Sequence, residues 1–176
     1  MFKKINILLA FVISSFSCQG QVIPKDKPVL TNQAFEAEVS SLLNFSVPTI
    51  SVEELSKQGL ENFLLLDARG KKEFETSHIQ GAEYAGFWDF DLRNWKNVDK
   101  EQPIVVYCSV GYRSEKIGEK FKKAGFKNVY NLYGSIFEWI NQGNPIEKNG
   151  TETKEIHTYN KKWSQWVNNP NYQKTW

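Results

Sequence analysis

Cysteine, histidine and methionine are nearly absent from this chain of 176 residues, which carries two cysteines, two histidines and a single methionine. Two cysteines cannot build the disulfide framework that staples small secreted domains. The two histidines, His78 and His157, lie far apart with no ligand spacing around them, so no metal site is read. No cofactor is expected either. Neither sign of charge dominates: 22 basic residues stand against 20 acidic ones, with no block of lysine and arginine. That balance supplies no footprint for a phosphate backbone, so nucleic acid is not expected as a partner. No internal repeat or low-complexity stretch occurs. One long apolar run exists, at residues 5–16, and it is too short to cross a bilayer comfortably.

That run follows Met1, Phe2, Lys3 and Lys4, so a short basic segment leads into an apolar one, as in an export signal. Ser17 and Cys18 then stand where processing would occur. The arrangement resembles a bacterial lipoprotein signal, in which the cysteine becomes the lipidated first residue. Ser15 departs from that pattern, which usually has Leu, Val or Ile there, and an ordinary secretory signal cut nearby is the alternative. Without residues 1–17 the charges cancel, because Lys3 and Lys4 leave. The expected product is exported, periplasmic and anchored to a membrane through lipid on Cys18. The organisation expected is a signal at 1–17, a tether at 18–30, a helical extension at 31–47, a domain at 48–146 and an aromatic-rich extension at 147–176.

The centre of that domain is the stretch from Tyr107 through Cys108, Ser109, Val110, Gly111, Tyr112 and Arg113 to Ser114. Ile104, Val105, Val106 and Tyr107 form an apolar run that ends at the cysteine, and Ser114 opens a helical pattern through Ile117, Phe121 and Ala124. This reads as a strand, a tight loop and a helix whose first amides point back at the sulfur. Helix N-termini favour negative charge. A thiol so placed has its pKa lowered from about 8.5 toward the ~3.5–7.5 range, which makes a nucleophilic thiolate at neutral pH. Gly111 allows the positive φ that lets amides converge on one point, and Arg113 adds a cation with forked donors for an anionic substrate, the alternative being that its guanidinium stitches the compact loop to the sheet.

This loop resembles the active-site loop of rhodanese-like sulfurtransferases, commonly C-x-x-G-x-R-S. Leu64, Leu65, Leu66, Asp67, Ala68 and Arg69 look like the family's strand ending in D-x-R. Glu73 to Ala82 resembles its E-F-x-x-G-H-I-x-G-A segment, and Asn131 to Trp139 its closing L-x-G-G-x-x-x-W. Ser77 and Ser135 stand where glycine is usual; both lie outside the loop and bear on backbone geometry more than chemistry. The resemblance implies an α/β, rhodanese-like fold with a central, mostly parallel five-stranded sheet flanked by helices on both faces. It implies Cys108 as nucleophile, with Ser109, Val110, Gly111, Tyr112, Arg113 and Ser114 binding substrate. At the end of their strand, Asp67 and Arg69 are expected to brace the loop by charge and hydrogen bonding, with a buried ion pair or helix cap as the alternative; the resemblance makes His78 structural support rather than a catalytic partner.

Around these motifs, Asn32 caps a helix bearing Phe35, Val39, Leu42 and Leu43, and Ser51 with Glu54 has the spacing of a capping box. The stretch from Phe87 through Trp95 could line the pocket mouth or simply pack, and the helical spacing of Trp88, Leu92 and Trp95 points to packing. Gly125 stops the helix after the loop, and residues 129–132 read as the last strand. In the tail, Trp163, Trp166 and Val167 share a helical face, expected to wrap over the domain, with docking or membrane contact as the alternative. The expected activity moves a sulfane sulfur from thiosulfate or a persulfide to a thiol, cyanide or protein acceptor through a Cys108 persulfide. Alternatives are a non-catalytic interaction or sulfur-carrier module, and a phosphatase or arsenate reductase using the same loop. Tyrosine-type phosphatases have C-x5-R, whereas Cys108 to Arg113 is C-x4-R, a narrower cradle that fits sulfur better than a phosphoryl group.

Overall fold

The computed structural model describes residues 23–176, so the export-signal pattern and Cys18 lie outside the described residues. Helix α1 (Gln33–Leu42) starts at Asn32, whose side chain accepts from the amides of Ala34 and Phe35, and it buries Phe35 and Val39. Strand β1 (Thr49–Ile50) leads to α2 (Val52–Gln58), closed at its start by the reciprocal hydrogen bonds of Ser51 and Glu54. Strand β2 (Leu64–Asp67), helix α3 (Lys71–Thr76), and strands β3 (His78–Ile79) and β4 (Glu83–Tyr84) follow. Strand β5 (Ile104–Tyr107) runs into α4 (Tyr112–Lys123), then β6 (Val129–Leu132) and α5 (Ser135–Asn141).

Five strands form one parallel sheet in the order β1-β6-β5-β2-β4. The central strand β5 is apolar at every position and buried throughout, as a parallel strand covered on both faces must be. Alternation of side chains then makes two cores. Leu65, Val105 and Tyr107 pack with α1, α2 and α5 on one face. Leu66, Ile104, Val106 and Cys108 pack with Ile117 and Phe121 of α4 on the other. The carboxyl ends of β2 and β5 sit side by side, pairing Asp67 with Tyr107, and the loop after β5 opens there. Helix α4 ends at Lys123 with Ala124 as its C-cap, and Gly125 at φ +89° stands just beyond.

Strand β6 is not the last strand. Four more follow: β7 (Ile146–Lys148), β8 (Thr151–Thr153), β9 (Glu155–His157) and β10 (Gln173–Thr175). Asn149 and Gly150, at φ 53° and 76°, turn β7 into β8, a two-residue hairpin of the kind that Asn-Gly favours. Strand β7 also pairs antiparallel with β3, which ties the extension to the domain. The expected helical face in the tail is one short 3-10 turn over Trp163–Trp166. Its rings pack against the first core, Trp166 stacking on Phe35 at 5.4 Å. Trp88 departs from the packing role its spacing suggested: it is 85% exposed, while Trp95 turns inward to stack on Phe90 and meet Phe121, and Leu92 packs half-buried against the same core. No helix among the described residues is long and apolar enough to cross a membrane.

Candidate active site

The strand that delivers Cys108 is held at its end by two flanking segments. The Cys108 amide donates to Ser135 Oγ at 3.1 Å, and its carbonyl accepts from the Ile136 amide. Ser135 itself takes φ +52°, and its hydroxyl is within hydrogen-bond distance of the Leu132 carbonyl. The serine in place of the family's glycine is therefore not a remote backbone matter; it supplies the acceptor for the nucleophile's own amide. Ser135→Ala leaves that buried donor unpaired and is expected to cost about 1–3 kcal/mol in urea unfolding. Ser135→Gly loses the same bond but relieves a left-handed backbone worth roughly 1–2 kcal/mol, so it should unfold later than the alanine variant.

The loop then folds back on the sulfur. Gly111, at φ +123°, aims its N–H at Cys108 Sγ across 3.1 Å. A side chain there would be strained by that φ, although an ideal Cβ would only touch Leu43, 3.4 Å away. The Ser114 hydroxyl has three acceptors within reach: Asn131 Oδ1 at 2.7 Å, the Gly111 carbonyl at 3.0 Å and Cys108 Sγ at 3.6 Å. One hydroxyl carries one hydrogen, so the amide of Gly111 is the standing donor to sulfur. Asn131 also donates to the Gly111 carbonyl at 3.0 Å and so holds the turn from below. Burial alone pushes the Cys108 thiol up. The Arg113 charge, the Ser114 hydroxyl and the amides of Ser114 and Gly111 together bring it below its ordinary value.

Arg113 does not stand free for an anionic substrate. Its fork is taken by Glu73, Nη1 to Oε2 and Nη2 to Oε1, both at 2.8 Å, with Nη2 also donating to Ser109 Oγ at 2.9 Å. Glu73 is 4% exposed and also accepts the Gly70 amide at the start of α3. Burial raises its carboxyl, and Arg113, helped by the Arg69 charge and the Gly70 amide, more than reverses this to leave it below the usual carboxylate range. The guanidinium thus stitches the loop to α3 while keeping its field on the sulfur. Of the loop residues, Ser109, Val110, Tyr112 and Arg113 line the cavity in front of Cys108. Gly111 and Ser114 face the sulfur instead and position it.

Asp67, Arg69 and His78 do not support the loop by contact. Arg69 forks onto Asp67 within 2.6–3.0 Å and donates to the Ser77 carbonyl, the whole pair being buried. That knot pins the end of β2 to the approach to β3, under Tyr107, whose hydroxyl accepts the Ile79 amide. His78 stacks on Phe74 at 4.1 Å, bonds to its carbonyl and lies 3.5 Å from Glu147. Bracing by contact falls to Glu73, Asn131 and Ser135, while the Asp67–Arg69 pair, the buried ion pair of the alternative reading, reaches Glu73 and Arg113 through its charges only. Glu73 was visible as the acid that opens the E-F-x-x segment, and Asn131 as the lone polar residue in an apolar strand.

The cavity has a volume of about 250 Å³. Three walls come from outside the loop: Leu42 at the end of α1, Phe87 and Trp88 after β4, and Tyr159 and Trp163 from the C-terminal extension. The Tyr159 ring lies 5.4 Å from the Arg113 guanidinium. Beside it His157 is buried, its Nδ1 accepting the Tyr159 amide, and burial lowers its pKa so that the ring is held neutral. No group of three or more His, Cys, Asp or Glu side chains among the described residues is placed to hold a metal.

A family model for the rhodanese-like domain matches residues 51–142. A protein named tRNA uridine(34) hydroxylase from Aster yellows witches'-broom phytoplasma is 34% identical over 68% of this chain and 42% of its own length. One of the same name from Staphylococcus epidermidis is 41% identical over 43% of this chain and 25% of its own. The chain thus spans about two fifths or less of these curated relatives. Among solved structures, a rhodanese-related protein from Thermoplasma volcanium superposes with a TM-score of 0.51 at 25% identity, over 57% of this chain and 97% of that one. A thiosulfate sulfurtransferase from Pseudomonas aeruginosa gives 0.53 at 22% identity, over 69% and 23%. Both likenesses speak to the fold.

Proposed function

The chain belongs to the rhodanese-like family, and from that premise we propose that it is a sulfurtransferase carrying sulfur as a persulfide on Cys108. The observation that carries the reading is the seat of the sulfur: a thiol of lowered pKa, held by the Gly111 amide, that opens into a cavity beside a fixed cation. The thiolate attacks the terminal sulfur of a donor. A sulfur–sulfur bond forms to Cys108, the bond joining that sulfur to the donor breaks, and its electron pair leaves with the donor fragment (sulfite, if the donor is thiosulfate). A thiol, cyanide or protein acceptor then attacks the outer sulfur, and Cys108 departs as thiolate. The developing charge falls on an atom already facing amide donors, so little must reorganise. Four residues between Cys108 and Arg113 keep this seat narrow, which supports sulfur transfer over phosphatase or arsenate reductase chemistry.

The relatives named for tRNA uridine 34 hydroxylation supply a second reading, favoured by their 34% identity to this chain. It is the weaker one, because the chain spans only 42% of that relative and its charges nearly cancel. One measurement separates the readings. After incubation with thiosulfate or a low-molecular-weight persulfide, mass analysis should find one extra sulfur on the Cys108 peptide. No sulfur uptake together with oxygen incorporation into tRNA would select the second reading. Partner binding unchanged in Cys108→Ser, with neither activity, would select an interaction module. We further propose export and lipid anchoring at Cys18. Cys18→Ala should move the protein from the membrane fraction to the soluble one, and its staying with the membrane would refute the anchor.

A further inference from the structure

We propose that the sulfur donor of this site carries an apolar, ring-sized organic group beside its transferable sulfur, and that Trp88 and Tyr159 select it. The inference rests on the sulfurtransferase reading and goes past it to the class of substrate. Three observations meet in the cavity. Its walls are aromatic: Phe87, Trp88, Tyr112, Tyr159 and Trp163 surround the approach to Cys108. Its volume of about 250 Å³ exceeds the ~150 Å³ apolar cavity known to take up benzene. Its charge is unsuited to a small dianion, because both forked bonds of Arg113 are committed to Glu73 and what remains of its field serves the Cys108 sulfur, so no free cation faces the cavity from this loop. The neighbouring Asp67–Arg69 pair cancels too, and His157 beside the site is neutral. Thiosulfate would bring two more negative charges to that point.

The rings are also placed where a ligand, not the fold, would use them. Trp88 is 85% exposed and Tyr159 54%, although large rings on a folded chain usually find cover. Trp88 is propped edge-on by Phe87 at a centroid distance of 4.8 Å. Tyr159 holds φ +66°, a conformation that bulky residues rarely take, and its ring lies over the Arg113 guanidinium. The strand-and-turn extension that carries Tyr159 and Trp163 thereby completes a pocket that the loop alone would leave open on one side.

Thiosulfonates test this, since they vary the organic group around one transferable sulfur. The Cys108 thiolate takes the outer sulfur of R–SO2–S⁻; the new sulfur–sulfur bond gives the Cys108 persulfide anion, and R–SO2⁻ leaves with the electron pair. With the full chain and cyanide as common acceptor, donor kcat/KM would be measured for thiosulfate, methanethiosulfonate and benzenethiosulfonate. The Cys108→Ser background is subtracted, and each value is divided by the donor's rate with a free thiolate. Benzenethiosulfonate is expected to exceed both others by about tenfold or more, in line with the discrimination apolar pockets achieve. Trp88→Ala and Tyr159→Gly, the latter suited to the positive φ, should each reduce that ratio severalfold. A ratio near one, a preference for thiosulfate, or a preference that both variants leave intact would overturn the proposal while sparing the sulfurtransferase reading. Failure of every donor to place sulfur on Cys108 would overturn the two together.

Discussion

Cys108→Ser is expected to take up no sulfur on the loop peptide under conditions in which the parent chain gains one atom there, because the remaining groups around the cavity offer no other thiolate. The same residue should titrate early. Burial raises the thiol, but Arg113, the Ser114 hydroxyl and the amides of Ser114 and Gly111 outweigh it, so alkylation by iodoacetamide should show a midpoint below the ordinary thiol range of about 8.5. Linkage fixes how stability follows. Below the depressed midpoint, folded and unfolded chains both hold the proton and nothing is gained. Between that midpoint and about 8.5 only the unfolded chain still holds it, so stability rises with pH; above about 8.5 the gain is complete. Urea unfolding of the parent should therefore strengthen across this window relative to Cys108→Ser, and a flat difference would sink the account of the sulfur's surroundings.

Removing Arg113 should have the largest effect on stability. Glu73 has a side chain only 5% exposed, and Arg113→Ala would leave its carboxylate buried with its main counter-charge gone. Breaking one half of such a pair costs about 3–5 kcal/mol, read as a lower urea midpoint. The Cys108 alkylation midpoint should rise at the same time, since the first charge that lowers it has left. Glu73→Gln separates the two effects. It keeps a hydrogen-bonding side chain against the guanidinium, so it should cost less stability than Arg113→Ala. It also removes the charge that opposes Arg113, so the Cys108 midpoint should fall below the parent's. Midpoints moving in the same direction in the two variants would show that the pair acts only as a staple, with no electrostatic reach to the sulfur.

What could be read along the chain was whatever a few neighbouring residues decide among themselves. Asn32 as a cap, Ser51 with Glu54, the apolar strand into Cys108, and Gly111 within its loop are all of this kind. Their hydrogen bonds and periodicities close over one to four positions. The turn at Asn149 and Gly150 was equally local and could have been read as a hairpin from that pair. The helical spacing of Trp88, Leu92 and Trp95 misled because spacing says which side chains could share a face, not that the segment is a helix with a core to face. There the chain is largely loop, with a short 3-10 turn over Leu92–Trp95.

The amino-acid order by itself determined the strand, the loop and the helix that seat a sulfur anion. Only the tertiary structure decided that Arg113 is held by a carboxylate 40 positions earlier, that the hydroxyl of Ser135 steadies the Cys108 amide from 27 positions later, and that Tyr159 walls the cavity. The reason is physical: a helix terminus is made by adjacent peptide groups. Whether a cation is free or neutralised, and whether a ring is exposed or seated at a pocket, depends on which distant segments the packed sheet brings within a few ångströms.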